Sequence, residues 1–98
     1  MKLCRTSDVL PEELKQFNVK GVEILVISRS NQLICLDARC THAGAPLAEG
    51  KLDGDLLTCP WHGSQFNVTN GAVIRGPAKE PLKVYSTSVE EGFLFVDL

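Results

Sequence analysis

Two cysteine–histidine pairs, Cys40-Thr41-His42 and Cys59-Pro60-Trp61-His62, are separated by 16 residues and use both histidines and half of the four cysteines in the chain. Thiolate and imidazole are the ligands of choice for a soft or borderline metal, and two loops that each deliver one of each point to a metal centre or cluster. Small and turn-forming residues follow each pair, Ala43-Gly44-Ala45-Pro46 after the first and Gly63-Ser64 after the second. Such loops admit close backbone approach and resist both helix and packed strand.

The rest of the chain must present these loops. Its 98 residues support one domain, residues 1–98, whose modest core a loop-clamping inorganic centre would reinforce. The pattern is β throughout. Phe17–Lys20 and Val22–Ile27 are β-rich runs split by Gly21, Ser28–Gln32 reads as a polar turn, and Leu33–Leu36 as a further strand. Asp53-Gly54 and Asn70-Gly71 are hairpin signals. Leu56–Thr58 runs into Cys59, Gln65–Val68 runs out of the second loop, and the chain ends in a hairpin about Glu90-Glu91-Gly92. Only Pro11–Gln16 reads as helical, a short α or 3₁₀ turn opened by proline and followed by Glu-Glu-Leu-Lys. The expected fold is all-β, a small antiparallel β-barrel or sandwich. A loop-rich cluster-binding subdomain of about residues 38–77 would sit on a base of residues 1–37 and 78–98.

Composition narrows the function classes. A net charge of −2 with no Lys/Arg run gives no footprint for nucleic acid. The longest mainly apolar stretch, Val22–Ile27 with Glu23 inside it, is far short of the ~20 residues that cross a bilayer, so no membrane anchor is expected. Met1–Leu10 carries charges and no apolar signal core, so the expected location is cytoplasmic. In that compartment thiols stay reduced, which disfavours a disulfide framework for the four cysteines. Cys4 and Cys35 read as buried small hydrophobes in strand patterns, with a Cys4–Cys35 disulfide as the lesser alternative.

Two cysteines and two histidines admit two centres, a tetrahedral Cys₂His₂ zinc or a [2Fe–2S] cluster with two thiolates on one iron and two imidazoles on the other. Zinc fingers group like ligands and place the histidines on a helix. Here each loop supplies one of each, and Gly44, Pro46, Pro60 and Gly63 exclude a helix from both. One Cys and one His per loop suits a two-iron cluster, because each loop can span both irons. A zinc-stabilised binding module remains the alternative of a different class.

The boxes Cys40-Thr41-His42-Ala43-Gly44 and Cys59-Pro60-Trp61-His62-Gly63-Ser64 resemble those of the Rieske iron–sulfur family, as do their spacing, Gly76-Pro77-Ala78 with Pro81, and the C-terminal hairpin. The resemblance implies that Cys40 and Cys59 bind the inner iron and His42 and His62 the outer iron nearer solvent. It further implies a centre whose oxidised charge sums to zero with neutral imidazoles. Potentials then rise from about −400 mV, typical of all-thiolate ferredoxins, to a range of about −150 to +300 mV. Members in respiratory quinol complexes add a disulfide, a tyrosine and an anchor; here the corresponding positions hold Ala45 and Trp61, and Phe66, which cannot donate to sulfur. A low-to-intermediate potential is therefore expected.

The implied function is that of a one-electron carrier, no enzyme by itself, linking a flavin- or NAD(P)H-dependent reductase to a terminal oxygenase or similar enzyme. A permanently bound subunit of an oxidoreductase, such as a nitrite reductase, is the second reading. Around the ligands, Ser64 is expected to donate to a sulfide or else to cap its loop, and Gly44 and Gly63 to bring backbone N–H groups near. Pro77 would cover the centre from a third loop. Trp61 reads equally as a partner contact or as a lid against water. Glu49, Asp53 and Asp55 form either an acidic docking patch or, more simply, a solvated hairpin face.

Overall fold

A computed structural model describes residues 1–97. In chain order the strands are β1 (Lys2–Arg5), β2 (Leu14–Val19), β3 (Val22–Arg29), β4 (Gln32–Asp37), β5 (Lys51–Asp53), β6 (Leu56–Thr58), β7 (Gln65–Asn67), β8 (Val73–Arg75), β9 (Val84–Tyr85), β10 (Thr87–Glu90) and β11 (Phe93–Val96). Two 3₁₀ turns, Thr6–Asp8 and Leu47–Glu49, interrupt them. The strands form three antiparallel sheets in the orders β1-β11-β10, β2-β3-β4-β9 and β5-β6-β7-β8.

The apolar run in β3 explains how the sheets meet. Ile24, Leu25, Val26 and Ile27 are all fully buried. Successive side chains on a strand point to opposite faces, so Leu25 and Ile27 enter one core while Ile24 and Val26 enter another. The first core contains Cys40, Cys59, Leu57 and Phe66, beneath the two ligand loops. The second contains Cys4, Cys35, Leu94 and Val96, between β3 and the terminal sheet. A strand buried on both faces reads as a continuous apolar run, which is why Ile24–Ile27 shows no alternation. Truncating Leu25 or Ile27 to alanine would cost about 2–5 kcal/mol.

Three hairpins are tied by two-residue turns with both central residues in the left-handed region: Lys20-Gly21, Ser30-Asn31 and Glu91-Gly92, at φ 52/82, 52/63 and 52/81. This is the type I′ pattern, whose twist matches that of the flanking strands. The turn expected over Ser28–Gln32 is thus tighter than its composition indicates, with Arg29 pairing Gln32. Gly71 serves close approach. It is buried at φ 77, and a Cβ there would collide with the Leu82 carbonyl, while its own carbonyl accepts from Leu82 N–H at 2.8 Å.

The helix expected over Pro11–Gln16 is absent. Pro11 bridges Ser28, Glu12 adopts φ 64, and Leu14–Gln16 already belong to β2, with Leu14 opposite Ile27 and Phe17 opposite Ile24. The helix preference of Glu-Glu-Leu-Lys amounts to tenths of a kcal/mol per residue. Pairing along β3 outweighs it.

Candidate metal centre

The two ligand loops share one design. The Cys40 N–H donates to the Ala45 carbonyl at 2.9 Å, and the Cys59 N–H donates to the Ser64 carbonyl at 2.7 Å. Each cysteine thus closes its loop against the residue five positions on. Inside each closure a glycine takes positive φ, Gly44 at 73° and Gly63 at 75°, and its N–H donates to a carbonyl of the same loop, that of Cys40 or of Trp61. The second loop joins β6 to β7 across the Thr58–Gln65 pair. The first follows β4 and ends at the Leu47–Glu49 turn.

Loop closure sorts the candidate ligands by depth. Cys40 and Cys59 are 3% and 4% exposed and lie in the same buried core, whereas His42 and His62 lie on the surface. The imidazole centroids are 5.1 Å apart, with the rings at 85°. His62 itself adopts φ 52, a sparsely populated conformation for a residue other than glycine. Burial pushes the Cys59 thiol up, opposed by the Trp61 backbone N–H that donates to its sulfur. Among the described residues no three His, Cys, Asp or Glu side chains converge as ligands of a single ion. Two inner thiols and two outer imidazoles suit a centre with two metal positions.

The surroundings divide the expectations. Ser64 is fully buried, and its Oγ accepts from the Ala78 N–H at 3.0 Å. The hydroxyl therefore caps the third loop while its proton stays available to an acceptor nearby. Phe66 is fully buried in the core that holds Cys40 and Cys59. Trp61 is 49% exposed, which favours the contact-surface reading over the lid. Pro77 is exposed and, with Thr41, His42, Lys79 and Glu80, lines a hollow of about 530 Å³. Asp55 is taken by Arg29, its Oδ1 accepting from Nε at 2.6 Å, so Glu49, Asp53 and Asp55 do not form a free acidic trio. Cys4 and Cys35 are free thiols, and the alternative of a disulfide between them fails.

Sequence reasoning missed two ties. The Thr41 hydroxyl donates to the Glu80 carbonyl at 2.7 Å, joining the first loop to the third. Arg39 reaches the Gly44 carbonyl at 3.0 Å. Neither residue belongs to a ligand pattern; adjacency to Cys40 was the only available signal.

A closed pair of cysteine–histidine loops on three small antiparallel sheets defines a class, and a family model of the Rieske [2Fe-2S] domain matches residues 1–86. The chain belongs to this family and is an electron-transfer protein for a Rieske [2Fe–2S] cluster. It is 38% identical over 97 residues to ferredoxin CarAc of Metapseudomonas resinovorans, covering 98% of this chain and 91% of that protein. It is 34% identical over 98 residues to the ferredoxin component of the p-cumate 2,3-dioxygenase system of Pseudomonas putida, covering 98% and 83%. A solved complex of reduced oxygenase and oxidized ferredoxin in carbazole 1,9a-dioxygenase contains a chain that superposes with a TM-score of 0.90 at 37% identity, covering 99% of this chain and 100% of that one.

Proposed function

We propose that this chain is the ferredoxin of a cytoplasmic dioxygenase-type system, carrying single electrons from a flavin- or NAD(P)H-dependent reductase to a terminal oxygenase. Residues 38–77 act as the cluster-binding subdomain on a base of residues 1–37 and 78–98. Cys40 and Cys59 hold the inner iron, and His42 and His62 the outer iron. The cluster supplies one-electron transfer at low structural cost. The observation that carries the reading is the outward face of the site, where two exposed imidazoles stand beside a half-exposed Trp61.

Each protein group has a physical task. The buried thiols keep the inner end dry. The exposed imidazoles bring the outer end to the surface, where a partner can approach without a channel. Ser64 orders Ala78 through its oxygen and offers its proton to a sulfide, while Gly44 and Gly63 set the loop backbones. Phe66 has no donor, which leaves the potential lower than a tyrosine there would.

The test combines spectroscopy with turnover. Purified protein reduced with dithionite is expected to show a rhombic EPR signal whose average g lies below that of all-thiolate ferredoxins. It is also expected to re-oxidise rapidly on mixing with the oxidised oxygenase of a bacterial dioxygenase system. A colourless protein with one stoichiometric zinc, or a reduced protein that transfers nothing to any such oxygenase, rejects the proposal.

A further inference from the structure

Every ion pair among the described residues is made by one of two arginines, Arg29 with Glu12 and Asp55, and Arg39 with Glu23. Arg39 stands immediately before the ligand Cys40 and does two things at once. Its Nε donates to Glu23 Oε1 at 2.9 Å, and its Nη1 donates to the Gly44 carbonyl at 3.0 Å. The other oxygen of Glu23 accepts from Gln16 Nε2 at 2.6 Å. A polar relay therefore runs from β2 through β3 to the tip of the first ligand loop.

The relay makes a poor stabiliser. The Arg39 and Glu23 side chains are 52% and 31% exposed, and exposed ion pairs contribute little to global stability. Its geometry is more specific than its energy. A guanidinium is a planar fork whose N–H groups leave in set directions, so holding the carboxylate also aims Nη1. Gly44 is gripped on both sides, its N–H by the Cys40 carbonyl and its own carbonyl by Arg39. The second ligand loop has no counterpart among the described hydrogen bonds, since it is tied by the uncharged Ser64.

We infer that Arg39 is a positioning residue for the first ligand loop, with Glu23 as its anchor: together they hold the Gly44 carbonyl and so orient the segment from Cys40 to Ala45 that carries His42. The inference rests on the reading of Cys40 and His42 as ligands. It adds to that reading a dependence of the centre on two residues outside the ligand boxes. The carboxylate on β3 acts through the arginine and touches no ligand.

Three variants of the full-length protein test it: Glu23→Gln, Arg39→Lys and Arg39→Gln. Hydrogen exchange is read by mass spectrometry for peptides covering residues 39–46 and 59–66, alongside the EPR spectrum of the reduced protein. Losing one hydrogen bond's restraint is expected to speed exchange in the first peptide roughly three- to tenfold in all three variants, with the second peptide unchanged. The EPR g-anisotropy is expected to shift with it. Arg39→Lys is decisive because it keeps the charge but loses the fork. Wild-type exchange and EPR in Arg39→Lys and Glu23→Gln overturn the inference, as does equal acceleration in both peptides. A wild-type protein without a Rieske-type EPR signal instead defeats the ligand reading, and the exchange experiment still reports on the clamp.

Discussion

Cys40 and Cys59 are no better hidden from water than Cys4 and Cys35: the relative exposures are 3% and 4% for the first pair and 9% and 0% for the second. Composition and burial alone do not separate them. Backbone does. Cys4 and Cys35 sit in the strands β1 and β4, which pair with β11 and β3, and their side chains share a core with Leu94 and Val96. Cys40 and Cys59 open loops that fold back on themselves and place a histidine at the rim. What marks a candidate ligand cysteine is thus what its loop does with the next few residues, and a buried thiol without such a loop is a small hydrophobe.

The largest effect that tests this contrast is removal of a ligand thiol. Cys59→Ser is expected to abolish the visible absorption of the purified protein and to lower its melting temperature sharply, because metal binding is coupled to folding. Cys35→Ala is expected to retain full absorption and to lose only about 1–2 kcal/mol in a urea titration. Loss of colour from Cys35→Ala would erase the distinction between the pairs.

Exchanging ligand chemistry comes next. His62→Cys adds a thiolate charge at the outer position. It should lower the potential on the order of 100 mV, about half the smallest gap between Rieske and all-thiolate centres. Voltammetry of a variant that keeps its cluster decides; an unchanged or higher potential defeats the charge argument.

A smaller change is expected from Ser64→Ala. The Ala78 N–H loses its acceptor, at a cost of about 1–3 kcal/mol, and the potential falls as a donor to sulfur disappears. Lost stability at constant potential would leave Ser64 as a loop cap alone.

The smallest effect is confined to alkaline pH. Burial, with a further push from Cys4, raises the Cys35 thiol from 9.0 to about 12. Because the folded state holds this proton more tightly, the associated stability is complete below about 9 and is lost as pH climbs towards 12. Denaturation between pH 9 and 11 should therefore show wild type losing more stability than Cys35→Ala. Parallel curves would place Cys35 in a wetter site than its burial indicates.

Much of this was legible before any coordinates. The candidate ligands are separated by few bonds within each loop, so local chemistry picks them out: Cys-x-His, Cys-x-x-His and the glycines that follow. The hairpin turns at Gly21, Gly54 and Gly92 were equally readable, since left-handed backbone selects a short list of residues. The helix read over Pro11–Gln16 failed because a local propensity of tenths of a kcal/mol met a strand pairing that only the folded β3 supplies.

The sequence by itself determined the β class, the two loops and their inventory of sulfur and imidazole, because these depend on neighbours along the chain. Tertiary structure alone decided which thiols turn inward together, how the rings of His42 and His62 approach to 5.1 Å, and that Ser64 meets Ala78. It also decided that Arg39 reaches from Glu23 to Gly44. Those contacts join segments whose separation in the chain carries no local signal, and they exist only once sheet pairing has brought the segments within hydrogen-bond distance.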